Sequence, residues 1–309
     1  MKKIFGPVPS RRLGLSLGVD VLPYKTCSFD CVYCECGATT DLTCERRAFY
    51  PVAEILEELE ERLLQMKDTP DVITLSGSGE PTLYAPLDEL ITRAKELSGL
   101  PVAVITNSSL LFMPEVRREL MGADVVLPSL DAALEASYLR INRPHPQCTL
   151  ERTIEGLERF LADYGGRVLF EILVIEGYNA EERDLKALKR EVERMRVDSI
   201  QLNTAIRPGT EPGIEPLDGE TLDAIRSFFG PRCEVIASAE TSRRRHEEGA
   251  LEDTVLALLE RRPCTALDVH RSTGIPLAKI TALLEGMAKT GLIVKETHGN
   301  ELFYEASRR

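Results

Sequence analysis

The residues best able to do chemistry in this sequence are three closely spaced cysteines. Cys27, Cys31 and Cys34 follow a C-x3-C-x2-C spacing on one short segment. Three thiolates on one loop can reach three corners of a cuboidal iron–sulfur cluster, which normally takes four cysteine ligands. A fourth iron without a protein ligand has an open coordination position, by the logic that separates catalytic from closed zinc sites. The spacing therefore favours an iron–sulfur cluster over a structural zinc site or inert buried thiols.

An aromatic residue, Tyr33, directly precedes the third cysteine, and this segment resembles the radical S-adenosylmethionine (SAM) superfamily. The resemblance implies a [4Fe-4S] cluster whose unique iron chelates the amino and carboxylate groups of SAM, with Tyr33 close to SAM. Reductive cleavage would give a 5′-deoxyadenosyl radical, with an electron donor such as flavodoxin or ferredoxin as partner. In such enzymes the cofactors carry the hard chemistry, and the protein binds, orients and shields them.

The composition excludes several other classes of protein. The chain has 309 residues and a formal net charge of −12, which argues against a basic protein that coats nucleic acid. No apolar run approaches ~18 residues, so we expect no membrane span. The first residues lack the apolar core of a signal peptide, and a cytoplasmic location is expected. Eight cysteines in such a chain favour metal binding or redox chemistry over disulfides.

Short β-rich runs alternate with amphipathic helical segments along the first three quarters of the chain. Six such βα units predict the α/β class, specifically a partial, open (βα)6 barrel of the radical SAM type. Loops at the carboxyl ends of the strands carry the chemistry in such barrels, and the cysteines follow the first strand. The predicted strands are 15–22, 72–76, 102–106, 125–127, 167–175 and 198–203, and the predicted helices are 51–67, 88–97, 114–121, 150–164, 180–195 and 218–229.

The pattern changes after this region. We predict a barrel domain over residues 1–235, a polar linker over 236–249 and a small winged helix-turn-helix domain over 250–309. The last domain is predicted from three helices followed by a hairpin. The helices are expected at 251–261, 265–273 and 276–290, and the hairpin strands at 291–295 and 301–304.

Polar residues at the predicted strand ends are candidates for SAM binding. Gly77, Gly79 and Glu80 form a GSGE turn after the second strand, where glycines allow a close approach of the backbone. By resemblance, this turn and Glu80 receive the amino group of SAM. Helix capping is an equally good explanation for the other candidates. These other candidates are Asn107, Ser129, Asp131 and Asn203.

Further residues are candidates for substrate contacts. Glu171 lies within an apolar strand, where an inward-facing acid is costly unless it is paired. Arg143, His145 and Arg207 lie in loops after strands and could bind an anionic substrate, although solvated loop residues of this kind are common.

Longer segments resemble one branch of the superfamily, which is largely uncharacterised and grouped with the wyosine-forming tRNA enzymes. The segments are 6–18 (with Arg11 and Arg12), 23–26, 75–81 and 141–146. Three functions stay open. They are an enzyme that modifies RNA, an enzyme that acts on a protein or small molecule, and a SAM- or redox-sensing regulator that binds DNA. Residues 250–309 contain eight acidic and eight basic residues, which weakens the RNA hypothesis because phosphate binding needs concentrated positive charge.

The remaining five cysteines leave a second question. Cys36, Cys44 and Cys148 could approach one another near the first cluster and hold a second one. Small buried thiols that behave as hydrophobic residues are the simpler interpretation. Wyosine-forming enzymes take a second cluster from an N-terminal cysteine set, and this sequence has no cysteine before Cys27.

Overall fold

An eight-stranded sheet organises the larger part of the molecule. The structure is a computed structural model that describes residues 2–10, 12–66, 69–236 and 251–307. The sheet strands are β1 (Ile4–Ser10), β2 (Gly14–Val19), β5 (Val72–Leu75), β6 (Val102–Thr106), β7 (Val125–Pro128), β8 (Arg167–Val174), β9 (Ser199–Thr204) and β10 (Cys233–Val235). Their order is β1-β2-β5-β6-β7-β8-β9-β10; β1 and β2 are antiparallel, and the other neighbours are parallel. Two short strands, β3 (Thr26–Cys27) and β4 (Asp41–Leu42), pair separately in the cysteine segment.

All six predicted strands are present, which confirms a mixed α/β fold with a mainly parallel sheet. The sequence did not predict β1 or β10. The β1 segment contains Pro7 and Pro9, which argue against a strand in the middle of a sheet. Its position at the edge of the sheet, with an irregular register between Phe5 and Val8, explains how both prolines are tolerated.

Within the described residues, seven α-helices accompany this sheet and bury apolar faces against the core. In one of them, Thr149 caps the first turn by accepting a hydrogen bond from the Arg152 N–H, and Leu157 and Phe160 are buried. The helix over 135–142 was not predicted. The helices are α1 (Val52–Gln65), α2 (Leu87–Ser98), α3 (Pro114–Leu120), α4 (Glu135–Asn142), α5 (Leu150–Asp163), α6 (Glu182–Glu193) and α7 (Gly219–Phe229).

The C-terminal residues form three helices and a three-stranded antiparallel sheet with a hydrophobic cluster of their own. A capping box between Thr265 and Asp268 begins the second of these helices. The helices and hairpin lie where the sequence predicts them, whereas most of the predicted linker lies outside the described residues. The elements are α8 (Leu251–Leu259), β11 (Cys264–Thr265), α9 (Ala266–Thr273), α10 (Leu277–Lys289), β12 (Ile293–His298) and β13 (Glu301–Ala306).

Arg261 joins this C-terminal unit to the first strands of the large sheet. Its guanidinium lies 2.9 Å from the Asp20 carboxylate and donates a 2.6 Å hydrogen bond to the Lys2 carbonyl. The same group stacks 3.9 Å from the centre of the Phe5 ring. Because Asp20 directly follows β2, the C-terminal unit contacts the end of the sheet from which the cysteine segment departs. In the described part of the chain, no helix is long and apolar enough to cross a membrane.

Candidate functional site

The cysteine segment is held in place by backbone hydrogen bonds to the end of α4. Asp30 N–H donates to the Asn142 carbonyl at 3.1 Å, and Val32 N–H donates to the Ile141 carbonyl at 3.0 Å. Phe29 packs edge-on against Tyr138 of the same helix. The loop that carries Cys27, Cys31 and Cys34 is therefore anchored at several points along its length.

Each of the three cysteine sulfurs accepts a hydrogen bond from a nitrogen donor. Lys25 Nζ lies 3.0 Å from Cys34 Sγ, Asn142 Nδ2 lies 3.5 Å from Cys31 Sγ, and Asn107 Nδ2 lies 3.7 Å from Cys27 Sγ. All three cysteines are partly exposed. Among the described residues, no group of three or more His, Cys, Asp or Glu side chains could hold a single metal ion. Whether the three cysteines suit a [4Fe-4S] cluster is therefore judged from the hydrogen-bond donors around each sulfur.

Those donors suit anionic sulfur, and hydrogen bonds to cluster sulfurs are one of the ways in which proteins tune such clusters. A hydrogen bond from the Cys36 thiol and the nearby Lys25 ammonium lower the pKa of Cys34 to about 6, against the effect of burial. Burial, reinforced by the Glu80 carboxylate, raises the pKa of Cys27 to about 12. Lys25 is itself buried, and the attraction of Cys34 raises its pKa although burial alone would lower it. The nitrogen donor beside each sulfur and the fixed positive charge of Lys25 fit a cluster ligated by these three cysteines, and among them Cys34 alone has its pKa lowered in the free protein.

Asp131 lies behind the cysteine segment and orients two of its neighbours. Its carboxylate accepts hydrogen bonds from Tyr33 Oη at 2.5 Å, from Asn142 Nδ2 at 3.0 Å and from the Leu173 N–H at 3.0 Å. Burial raises the pKa of Asp131, and these hydrogen bonds partly offset that rise. The predicted residues Tyr33 and Asp131 are thus brought together. Asn142 links them to Cys31.

The predicted GSGE turn lies against the start of the cysteine segment. A side chain at Gly79 would place its Cβ 1.9 Å from the Thr26 carbonyl oxygen, so this close approach requires glycine. At Gly77, a Cβ would meet the Asp20 carboxylate at 2.3 Å. Asp20 also accepts hydrogen bonds from the backbone N–H and the hydroxyl of Ser78, at 3.2 and 2.9 Å. The turn is therefore packed directly between β2 and the loop that begins at Thr26.

Glu80 is fully buried in this turn and joins it to the end of β6. One carboxylate oxygen accepts hydrogen bonds from the Thr82 and Thr106 hydroxyls, at 2.6 and 2.7 Å. The other accepts the Asn107 N–H at 2.7 Å. Burial raises the pKa of Glu80, against these hydrogen bonds. Through Asn107, Glu80 positions the amide that reaches Cys27.

Three other predicted residues make contacts close to their own strands. Glu171, a candidate for a contact with SAM or substrate, forms an ion pair with Arg12 of the protein itself. Ser129 forms an isolated bridge with Glu171 and donates its N–H to the Thr106 carbonyl at 3.0 Å. The Asn203 side chain accepts a hydrogen bond from the next N–H of its own strand. Arg11 lies outside the described residues.

The two candidate substrate arginines are engaged by acidic residues. Arg143 pairs with Glu211 at 2.6 Å and is exposed. Arg207 is buried between Glu35, at 3.1 Å, and Asp268 of the C-terminal unit, at 3.6 Å. Arg207 thus links the cysteine segment to α9. The third candidate, His145, contacts Cys44.

The sequence interpretation missed Lys25, Asn142 and Asp20 as site residues. Lys25 and Asn142 lie within segments 23–26 and 141–146, which carried the family resemblance. Membership of these segments was the one feature of the sequence that could have marked them as site residues. Their contacts depend on the folding of the loop, which spacing alone does not reveal. Asp20 directly follows β2, which ends at Val19, but the predicted strand 15–22 enclosed it, so the sequence did not show that this acid lies at a strand end.

A cavity of about 420 Å³ lies between the cysteine segment and the C-terminal hairpin. The Thr210 hydroxyl on its wall donates a hydrogen bond to the Cys34 carbonyl at 3.4 Å. Residues of both units therefore line a space next to the third cysteine. The lining residues are Gly37, Ala38, Gly209, Thr210, Val294, Glu305 and Ala306.

Comparisons with known proteins agree with this fold. The family model of the radical SAM superfamily matches residues 21–188, and the chain belongs to this superfamily. A protein named UPF0026 from Methanocaldococcus jannaschii is 36% identical over 226 residues, which cover 73% of this chain and 70% of that protein.

Two further comparisons define how far the similarity extends. A protein from Brachyspira hyodysenteriae named GTPase Obg is 33% identical over 306 residues, or 98% of this chain. The chain spans only 45% of the length of that relative. A solved structure of a radical SAM methyltransferase from Sphaerobacter thermophilus has a TM-score of 0.59 at 18% identity, covering 73% of this chain and 67% of that one. At this identity the likeness concerns the fold.

Proposed function

We propose that this chain is a radical SAM enzyme in which Cys27, Cys31 and Cys34 hold a [4Fe-4S] cluster beside bound SAM. The observation that carries this proposal is the set of three cysteine sulfurs, each bonded to a nitrogen donor, next to the GSGE turn. When bound and reduced, this pair of cofactors supplies a 5′-deoxyadenosyl radical, which abstracts hydrogen from a substrate. The family match covers both the cysteines and the turn.

The surrounding residues position and shield these cofactors. Glu80 holds the Asn107 backbone, and the Asn107 amide in turn donates to Cys27. Asp131 holds Asn142 against Cys31 in the same way. Because Lys25 is buried, its ammonium is a fixed positive charge beside Cys34 that favours anionic sulfur. By the family resemblance, the GSGE turn would receive the amino group of SAM.

We further propose that the large sheet is the partial (βα)6 barrel of the family and that residues 250–309 form a winged helix-turn-helix. The three helices, the hairpin and the separate hydrophobic cluster support this assignment. The proposed electron donor is a flavodoxin or ferredoxin. We place the substrate in the space between the two units, because residues of both line the cavity beside Cys34.

The mixed charges on the C-terminal unit make an RNA-modifying activity the less favoured of the proposed enzyme functions. The exposed side of α10 carries Lys279, Glu285 and Lys289, and Glu285 also pairs with Lys295 at 2.5 Å. A surface that binds phosphates needs a concentration of positive charge. The same argument applies to a regulator that binds DNA. An enzyme that acts on a protein or a small molecule is therefore favoured.

The direct test is anaerobic reconstitution with iron and sulfide, followed by reduction with dithionite in the presence of SAM. We expect 5′-deoxyadenosine and methionine, and we expect Glu80→Gln to reduce their formation because it weakens the support of Asn107. Glu115→Gln, on the first turn of α3, is the matched control and should keep the activity. Absence of 5′-deoxyadenosine from fully reconstituted protein would overturn the proposal.

A further inference from the structure

A second group of thiols lies apart from the three cluster cysteines. The sulfur atoms of Cys44 and Cys148 lie 2.9 Å apart, and Cys44 Sγ lies 3.2 Å from Nδ1 of His145. Cys148 is fully buried and Cys44 is 5% exposed. Cys36 lies elsewhere, beside Cys34 and with its sulfur 3.1 Å from the Arg261 carbonyl oxygen. The pair therefore forms a separate dithiol with an imidazole beside it.

The two thiols differ in their proton affinity. The hydrogen bond from Cys148 lowers the pKa of Cys44, and the same interaction together with burial raises the pKa of Cys148. His145 Nδ1 also accepts the Gln147 N–H at 3.3 Å, so this nitrogen carries a lone pair and no proton. The same lone pair faces the Cys44 thiol. Cys44 is thus the better nucleophile, because the thiolate is the reactive form, and Cys148 is the thiol that can attack it in a second step.

Hydrogen bonds fix the backbone on both sides of the pair. Tyr138 Oη donates to the Cys148 carbonyl at 2.8 Å, and Cys148 N–H donates to the His145 carbonyl at 2.8 Å. Thr43, the residue before Cys44, donates its N–H to the Cys27 carbonyl at 2.9 Å. A disulfide needs a sulfur separation of about 2.0 Å, so closing the bond requires a movement of less than about 1 Å.

We propose that Cys44 and Cys148 form a redox-active dithiol that a small hydroperoxide oxidises to a disulfide, with His145 accepting the Cys44 proton. The Cys44 sulfur attacks one peroxide oxygen and the O–O bond breaks. With hydrogen peroxide, the leaving hydroxide takes the proton from His145 as water, and Cys44 becomes a sulfenic acid. The Cys148 sulfur then attacks the Cys44 sulfur, and a second water leaves with the Cys148 proton. The two thiols lose two electrons and the peroxide gains them. A reducing dithiol can afterwards reduce the disulfide back to two thiols by exchange.

The position of the pair gives this reaction a consequence for the cluster loop. Thr43 contacts Cys27, and the His145 N–H donates to the carbonyl of Ser28 at 2.8 Å. Both segments that carry the dithiol therefore hold the backbone around the first cluster cysteine. A disulfide would join these segments covalently.

The test uses the full chain in two forms, the wild type and a Cys27→Ser, Cys31→Ser, Cys34→Ser variant that cannot hold the cluster. Each is treated with hydrogen peroxide, alkylated, digested and analysed by mass spectrometry. We expect a linked pair of peptides containing Cys44 and Cys148, lighter by two hydrogen atoms than the reduced pair and released by dithiothreitol. The linkage should form in both proteins, because the dithiol chemistry does not depend on the proposed cluster. Cys233, which is buried in the sheet core, should stay reduced.

Two further variants define the roles within the pair. Cys148→Ser should leave Cys44 as a sulfenic acid that a dimedone probe traps. His145→Ala should slow disulfide formation by at least about tenfold, because it removes the group that accepts the Cys44 proton. If Cys44 and Cys148 stay free, if Cys44 goes directly to a sulfinic acid, or if both thiols are protected by a bound zinc ion, the proposal is wrong. Loss of SAM cleavage alone would bear on the proposed function and not on the dithiol.

Discussion

Two groups of cysteines in this chain differ in their burial and in their hydrogen-bond partners. In the cluster loop, Cys27, Cys31 and Cys34 are half-buried residues, and each of their sulfurs accepts a hydrogen bond from a nitrogen. In the second group, Cys44 and Cys148 are buried, and their thiols are hydrogen-bonded to each other. Nitrogen donors favour thiolates as ligands for iron, whereas mutual contact favours a bond between two sulfurs. The neighbours of a thiol, more than its spacing in the sequence, therefore decide its chemistry.

The largest effect should come from comparing the removal of one cysteine from each group. Cys31→Ala removes one of the three proposed iron ligands, so we expect loss of the cluster absorbance and of the bound iron and sulfide. Cys148→Ala should retain both, because its sulfur contacts Cys44 and lies outside the set of proposed ligands. Iron and sulfide analysis of the reconstituted proteins provides the measurement. Equal iron contents in the two variants would remove the distinction between the groups.

The next effect tests the fixed charge beside the cluster loop. Lys25→Met removes a buried ammonium 3.0 Å from Cys34, and a positive charge there stabilises a reduced, more negative cluster. We expect the midpoint potential to fall, by an amount on the order of a tenfold change in the reduction equilibrium, or about 59 mV for one electron. Lys95→Met, which removes a half-exposed surface lysine, is the control and should leave the potential unchanged. A spectroscopic redox titration measures both; an unchanged potential in Lys25→Met contradicts this role of the charge.

A smaller effect is expected from the amide that connects Cys31 to Asp131. Asn142→Ala leaves the buried Asp131 carboxylate with one hydrogen bond fewer, and we expect the free energy of unfolding to fall by about 1–3 kcal/mol. Gln147→Ala, at an exposed position, should change it by less than about 0.5 kcal/mol. Denaturant unfolding of the proteins without iron gives both values. Equal stabilities would mean that Asn142 does not support the loop.

The smallest effect concerns the pH at which individual thiols react. The pKa of Cys44 is lowered by the hydrogen bond from Cys148, whereas burial raises the pKa of Cys233 to about 11. Because the thiolate reacts, alkylation of each cysteine accelerates as the pH rises through its own pKa. Cys44 should therefore reach its maximal rate below the pH of an ordinary thiol, and Cys233 only near pH 11. Peptide-resolved alkylation rates across a pH series test this order, and coinciding profiles would contradict it.

The sequence predicted the six central strands and the cysteine loop because both depend on local patterns. Residues 102–105, for example, form an unbroken apolar run that becomes part of a mostly buried parallel strand. The edge strand β1 escaped prediction because its prolines are tolerated only at an edge, and the strand order decides which segment lies there. The order of parallel strands also brings the GSGE turn beside Asn107, as the strand-end argument predicts.

Contacts between distant segments could not be predicted. Asn142 is 111 residues from Cys31, and Cys148 is 104 residues from Cys44, so neither contact leaves a trace in the spacing. Arg207 was a candidate for an anionic substrate, yet its partners are Glu35 and Asp268 of the protein itself. A buried arginine needs such partners, but the sequence does not say whether a ligand or the chain provides them.

The central claim is that one group of cysteines performs SAM chemistry and the other does not. The most direct test compares the yield of 5′-deoxyadenosine from three reconstituted and reduced proteins: the wild type, Cys31→Ala and Cys148→Ala. The account predicts product from the wild type and from Cys148→Ala and none from Cys31→Ala. Product from Cys31→Ala, or its loss in Cys148→Ala with the cluster intact, would contradict the account.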